Sequence, residues 1–484
     1  MICVLAMVPS TVASNMKIAE VASIRELPST LGFADSQIYL ASDADTAQAA
    51  SAWVANGVDT VRIGVPWAGV EATQGEFDWS SADRVVNAAA SKGIAIICVI
   101  TSAPRWAMAS GSLPPHGSPK SPDQYGDFTA EVAQRYKGKI AAYEIWNEPN
   151  GVLGYSPSPN PTGYTALLKA AYPKIKAVDS AAVVVAGALA SGMSWGNLTI
   201  NPVTFVTKMY AAGARDYFDA LSFHPYNYDY KFSDGMYQVD SPVDQLIRIR
   251  NIMVSNGDGA KKIWATEYGL PTNQVTEEEQ AAFISDMIAS WPQLPYVGPL
   301  MIYSTRDRES GGSSNEDSFG VYRTDWTPKP AQQVIASPPS PDPVFDRFAK
   351  FTNPDLGEVL SPVFHPTPTV WAQVRTDSMI WELATGESVY SPGPVGTVAR
   401  SRKVTPVSLF SDGYQDFTGN TPIRIWYSPA TGAHWASKGL YSAWVPQLGL
   451  AISDEVASLG SSKVEFEHGR ITWSLFGGVK VTLS

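Results

Sequence analysis

Ile140-Ala141-Ala142-Tyr143-Glu144-Ile145-Trp146-Asn147-Glu148-Pro149-Asn150 is the stretch on which the reading of this chain turns. A short apolar run of strand length breaks off into an amide, a carboxylate and a proline. An ionisable group at the end of a buried strand is costly unless something uses it. Lys262-Ile263-Trp264-Ala265-Thr266-Glu267-Tyr268-Gly269 repeats the arrangement, a second apolar run ending in a glutamate.

Outward from these two, similar runs recur. The strand candidates are Gln37–Leu40, Thr60–Val65, Ile94–Ile100, Ala141–Trp146, Ala182–Gly187, Ala220–His224, Lys262–Glu267 and Leu300–Ser304. Helical patterns lie between them, as in Ser80–Ser91, Pro122–Tyr136 and Tyr164–Val178, where apolar residues return at three-to-four spacing. Near-continuous apolar strands separated by helices imply a parallel sheet covered on both faces. Eight such units predict an α/β fold of the (β/α)8 TIM-barrel type over residues 30–336. No glycine-rich phosphate loop follows the first strand, which counts against a dinucleotide-binding sheet. Barrels of this kind place their chemistry at the carboxyl ends of the strands, where Glu148 and Glu267 fall.

Ser337-Pro338-Pro339-Ser340-Pro341-Asp342-Pro343 has the composition of a stiff, extended linker, expected over residues 337–343. Residues 344–484 shift to short strands, aromatics and Gly/Ser turns and predict a smaller β-rich repeat domain. Met379-Ile380-Trp381-Glu382-Leu383-Ala384-Thr385-Gly386 echoes Arg424-Ile425-Trp426-Tyr427-Ser428-Pro429-Ala430-Thr431-Gly432, and Ile471-Thr472-Trp473-Ser474 is a looser third copy. Trp381, Trp426 and Trp473 recur at near-constant spacing, as stacked repeat units require. A Leu-Gly pair recurs at Leu356-Gly357 and Leu448-Gly449.

Composition narrows the function class. The 484 residues carry a net charge of −11 with no basic run, which argues against nucleic acid or an anionic membrane as partner. Two cysteines, Cys3 and Cys98, exclude a disulfide framework, and five histidines argue against a zinc cluster. Aromatic residues reach 11% of the chain, a usage compatible with stacking on sugar rings. No apolar run has the length of a membrane span. Residues 1–20, an apolar core ending in small residues near Thr11-Val12-Ala13 without a basic start, read as a truncated secretory signal or simply as an apolar tail, and the first reading implies secretion.

Two glutamates at strand ends are the raw material of glycoside hydrolysis. An acid at Glu148 would protonate the leaving oxygen, with Asn147 beside it able to bond a sugar hydroxyl. A nucleophile at Glu267 needs to be ionised and held by donors, and Tyr226 in His224-Pro225-Tyr226 is one. Arg62, a charge inside the run Thr60-Val61-Arg62-Ile63-Gly64, must be paired, and a guanidinium reaching Glu267 would keep that carboxylate ionised. A plain structural ion pair is compatible with this role, and a lone histidine is as often structural as functional. Trp67, Trp106, Tyr303 and Trp326 are candidate sugar-stacking walls, each more readily core than platform; Trp67 and Trp106 stand out because they follow strands two and three. The loops Pro104–Pro122 and Arg306–Phe319 are candidate cleft walls.

The set Trp146-Asn147-Glu148-Pro149-Asn150, His224-Pro225-Tyr226 and Thr266-Glu267-Tyr268-Gly269 resembles the retaining glycoside hydrolases of clan A, with family 39 and family 5-like members nearest. The resemblance implies Glu148 as general acid/base and Glu267 as nucleophile. It implies that Asn147 contacts the sugar 2-hydroxyl and that Arg62, His224 and Tyr226 support the nucleophile, without metal or organic cofactor. Family 5 members usually carry a histidine after strand three and a tryptophan at strand eight. Thr101-Ser102-Ala103-Pro104-Arg105-Trp106 and Ile302-Tyr303-Ser304 stand there instead, which favours the family 39-like side. The C-terminal segments Gln447–Val456 and Glu467–Trp473 resemble the LGFP repeats of cell-wall-associated proteins in mycolic-acid-containing actinobacteria.

The expectation is a secreted, cell-wall-associated O-glycosyl hydrolase acting on a poly- or oligosaccharide by double displacement. Its substrate would be a wall galactan or arabinan, with arabinogalactan also held by the repeats. The rival is a glycan-binding or wall-anchoring protein whose barrel is vestigial.

Overall fold

The computed structural model describes residues 23–484; the expected signal segment lies outside them. Eight parallel strands close into a barrel: β1 Leu31–Asp35, β2 Thr60–Pro66, β3 Ala95–Thr101, β4 Ala142–Ile145, β5 Val183–Ala190, β6 Ala220–His224, β7 Ile263–Tyr268 and β8 Val297–Ile302. β1 pairs with both β2 and β8, so the sheet has no free edge. Helices Ser80–Ser91 and Pro122–Tyr136 form where the apolar spacing put them, and the third expected helix starts earlier, at Pro161. Ser121 and Asn160 cap the last two, each accepting a first-turn backbone N–H, with a proline at the first helical position.

The first strand departs from expectation. Gln37–Leu40 belongs to a 3-10 helix, Ser36–Leu40, and the strand is Leu31–Asp35. The cause is packing: a Cβ on Gly32 would lie 2.2 Å from the Thr60 carbonyl oxygen and 2.7 Å from Met301 Sδ. The close approach of β1 to its neighbours therefore selects a glycine, a residue that weakens any propensity signal for a strand.

Side chains alternate across each strand, so two cores form. Ala34, Ile97, Ala142, Val185, Ala220, Trp264 and Met301 fill the barrel interior. Phe33, Val61, Ile63, Ile96, Cys98 and Tyr143 face outward into the layer beneath the helices. The inward series on β2 and β4 includes Arg62 and Glu144, both without solvent exposure.

After Ser337–Pro341, which forms no regular element, Asp342 caps a short helix Pro343–Ala349 by accepting the Val344 N–H at 2.9 Å. Three four-stranded antiparallel sheets follow: β9–β12 (364–392), β13–β16 (405–437) and β17–β20 (456–483). The recurring tryptophans take the third strand of each sheet, Trp381 and Trp426 fully buried and Trp473 37% exposed. Both Leu-Gly pairs close a 3-10 turn, Pro354–Leu356 and Pro446–Leu448, with Gly357 and Gly449 at φ 78° and 72°. That left-handed backbone explains why the glycine recurs. The first sheet docks on the barrel flank: Tyr296 donates its hydroxyl to the Leu360 carbonyl at 2.6 Å, and Tyr237 meets Phe364 edge-on.

Candidate active site

The carboxyl ends of β1, β2, β4, β6 and β7 bring their polar side chains together around one guanidinium. Arg62 donates Nε to Glu144 Oε2 at 2.6 Å, Nη1 to Ser36 Oγ at 2.9 Å and to Glu267 Oε1, and Nη2 to Asn147 Oδ1 at 2.7 Å. Burial alone would lower its basicity. The carboxylates of Glu144 and Glu267 reverse that and hold Arg62 above its ordinary range, a fixed cation. Glu267 lies within a register shift in the β7–β8 pairing between Ala265 and Tyr268, an irregularity of the kind that re-aims a side chain. Its other oxygen accepts the Tyr226 hydroxyl at 3.1 Å. Burial, and next the Glu267 charge, push the Tyr226 phenol well above its usual range, so it remains a donor.

Glu148 is presented differently. Trp146 and Glu148 both take left-handed backbone, φ 70° and 45°, uncommon for residues with a Cβ. The turn is held from several sides. The Glu148 N–H donates to the Ala188 carbonyl at 3.0 Å, and Trp146 Nε1 donates to the Gly154 carbonyl at 2.7 Å. Asn150 Nδ2 bonds the carbonyls of Ala190 and Ile200. Gly154 is required there, since a Cβ would lie 2.2 Å from the Glu148 carbonyl oxygen. The result is a carboxylate side chain 30% exposed, against 12% for Glu267. One faces the cleft and the other is enclosed.

His224 sits between them. Its Nδ1 lies 3.0 Å from Glu148 Oε1 and 3.7 Å from Glu267 Oε2, and its Nε2 lies 3.0 Å from Thr266 Oγ1. A proton on Nδ1 satisfies both short contacts, with Thr266 donating to Nε2. The histidine expected to support the nucleophile reaches both carboxylates and lies nearer Glu148, because strand six delivers the ring beside the strand-four turn. One carboxylate oxygen from each glutamate and a ring nitrogen of His224 lie within 4.8 Å of one another. Such a trio can hold a divalent ion, but Arg62 already supplies the positive charge beside Glu267.

The expected aromatic walls divide. Trp67 is 1% exposed, donates Nε1 to Glu71 Oε2 at 2.7 Å and stacks on Phe128. It is core, because the short helix Trp67–Val70 turns it inward beneath Trp106, and it offers no face to a sugar. Trp106 is half-buried and bonds the Glu71 carbonyl. Tyr303 donates its hydroxyl to Glu316 Oε2 at 2.8 Å and accepts from Gln37 Nε2 at 3.2 Å. Together with Trp326, Arg306 and Arg308 these residues line a cavity of about 120 Å³ at the β1 and β8 ends. Burial foremost, and then the Glu267 and Glu148 charges, raise the Glu316 carboxyl above its ordinary value.

Sequence reasoning passed over Glu144, Thr266, Gln37 and Glu316. Glu144 carried the same signal as Arg62, a charge inside a core-like run. Glu316 carried none, being one acid in a polar loop.

Comparison with known proteins follows the same lines. The family model described as cellulase (glycosyl hydrolase family 5) matches residues 25–294. No curated protein sequence matches the chain. Among solved structures, a family 39 glycoside hydrolase from the gut symbiont Bacteroides cellulosilyticus WH2 superposes with a TM-score of 0.55 at 18% identity, covering 85% of this chain and 79% of its own. A GH5_18 from Bifidobacterium longum subsp. infantis gives 0.51 at 14% identity, covering 65% and 78%. The GH39 enzyme from Xanthomonas axonopodis pv. citri gives 0.50 at 16%, covering 75% and 73%. These structures share the fold; the family model is that of family 5, where the sequence reading had leaned to the family 39-like side. The clustered glutamates and histidine are of the kind a glycan-hydrolysing barrel uses. Matched over more than half its length, the chain belongs to the cellulase family, glycosyl hydrolase family 5.

Proposed function

We propose that this enzyme is a retaining O-glycosyl hydrolase in which Glu267 is the nucleophile and Glu148 the general acid/base. The observation that supports the reading is the close approach of the two carboxylates, one oxygen of Glu148 and one of Glu267 lying within 4.8 Å of each other, in keeping with the close pairing of a retaining site. Retaining enzymes hold their carboxyl groups about 5 to 5.5 Å apart, whereas inverting ones leave roughly 6.5 Å or more for a water. In the first step a Glu267 oxygen bonds the anomeric carbon while the Glu148 proton passes to the leaving oxygen. In the second, Glu148 takes a proton from water, whose oxygen displaces Glu267. Arg62 and Tyr226 hold and aim the Glu267 carboxylate. Arg62 holds the Asn147 side-chain carbonyl, which leaves the amide N–H2 to bond a sugar 2-hydroxyl.

The wall glycan, galactan or arabinan, and export to the cell wall belong to the same proposal. They are supported by the LGFP-like resemblance and by the recurrent Leu-Gly turns of the β-rich domain. The test compares wild type with Glu148→Gln and Glu267→Gln on aryl glycosides, purified arabinogalactan, β-glucans, xylans and mannans. Wild type is expected to turn over its substrate, Glu267→Gln to be inactive on all of them, and Glu148→Gln to keep turnover only on aryl glycosides with activated leaving groups. Zero turnover in all three, with retained binding to wall glycan, would favour the vestigial barrel.

A further inference from the structure

The loops after β4 and β5 expose large apolar side chains on the catalytic face. Leu153 is 79% exposed, Met193 70%, Trp195 73% and Leu198 43%. Leu113, in the loop after β3, is exposed beside them. In Ser191-Gly192-Met193-Ser194-Trp195-Gly196-Asn197-Leu198-Thr199 the other residues are small or polar, so the apolar ones stand out from their own loop.

The three loops are one structure. Val152 N donates to the Leu198 carbonyl at 2.7 Å and Ile200 N to the Asn150 carbonyl at 2.8 Å, joining the loops after β4 and β5. Leu113 N donates to Ser156 Oγ at 2.9 Å, joining the loop after β3. Trp195 pairs with Thr199 in a tight backbone bridge. A knitted apolar surface left in water marks a binding face.

Its occupant follows from which carboxylate the loops carry. Glu148 sits on the same β4 loop as Leu153, with its N–H on β5. The general acid protonates the leaving oxygen, so what continues past Glu148 is the leaving group, while the retained sugar lies toward Glu267, Tyr303 and Glu316. A bare sugar wants aromatic plates and hydrogen-bonding partners. Three of these four side chains are aliphatic or thioether and offer neither.

We propose that these loops form a leaving-group platform for an apolar aglycone, an alkyl- or acyl-bearing group attached through the scissile oxygen. The proposal rests on the hydrolase reading above, not on its wall-glycan part, in which the leaving group is a sugar chain. After a panel of nitrophenyl glycosides has identified an accepted sugar, kcat/KM is measured for the methyl and n-octyl glycosides of that sugar. Wild type is expected to favour octyl by tenfold or more. In the exposed-site variants Trp195→Ser and Leu153→Ser the octyl-to-methyl ratio is expected to fall toward one. Equal rates on the two glycosides, with the nitrophenyl glycoside still turned over, would overturn the platform and leave the hydrolase standing. No turnover of any glycoside would overturn both. A wild-type dimer in sedimentation that Trp195→Ser converts to monomer, with no change in the ratio, would assign the surface to a second copy of this chain and overturn the platform.

Discussion

Arg62 and Glu144 form an ion pair at 2.6 Å in which neither side chain has any solvent exposure. Removing one partner of such a pair strands a charge, at a cost of about 3–5 kcal/mol. Arg62→Met is therefore expected to lower unfolding stability in urea by that order. Adding Glu144→Met should recover part of the loss, since it removes one stranded carboxylate while Glu267 still lacks its cation. A double variant no more stable than the single one would mean that Glu144 is not the group Arg62 compensates.

On the proposed mechanism, with Glu267 as nucleophile and Glu148 as acid, the two carboxylates should fail in different ways. Glu267→Gln removes the nucleophile, and activity should drop by orders of magnitude whatever the leaving group. Glu148→Gln removes an acid worth about 10²–10⁴-fold. That loss should shrink in the first step when the leaving group is an activated dinitrophenolate that needs no proton. Kinetics on a ladder of aryl glycosides with falling leaving-group pKa would show a steep dependence for Glu148→Gln and a shallow one for wild type. Identical slopes would remove Glu148 from the acid role.

Glu316 gives a pH prediction. Its carboxyl is raised by burial first and then by Glu267 and Glu148, and interaction between charges is reciprocal. A negative charge on Glu316 therefore makes ionisation of its neighbours harder. Glu316→Gln removes it, so the kcat/KM profile should move to lower pH as a whole. A profile that stays in place, or moves to higher pH, would mean that Glu316 is not electrostatically part of the site.

Trp67 separates packing from binding. With 1% exposure and stacking on Phe128, Trp67→Ala should cost about 3–5 kcal/mol of stability through a cavity. Its KM should stay near that of wild type in the folded fraction. A large KM effect with little loss of stability would return Trp67 to the cleft wall.

How much of this was readable beforehand depended on how local each signal was. β6 and the helices Ser80–Ser91 and Pro122–Tyr136 follow from periodicity alone, because burial on one face writes itself into spacing. β1 did not, because its Gly32 and Ala34 are set by the neighbours they clear rather than by propensity. Glu148, Glu267, Arg62 and Tyr226 were legible as charges or donors at strand ends, and they meet. Trp67, more readily core than platform in the sequence yet also a wall candidate, is core, because a position just after a strand does not say which way a short helix turns its ring. His224 was recognised, but which carboxylate it would favour depends on the left-handed turn at Glu148, and φ is not written in residue type. Glu316 reaches the cleft only through a polar loop tied down by contacts such as Asn273 Nδ2 to Asn315 Oδ1 at 3.1 Å.

The central claim is double displacement through Glu267, and the anomeric configuration of the first-formed product tests it most directly. Hydrolysis of an accepted aryl glycoside followed by 1H NMR from the first seconds should show the sugar released with the configuration of the substrate, before mutarotation mixes the anomers. Release of the inverted anomer would contradict the account, because a water would then have attacked where Glu267 is held to bond.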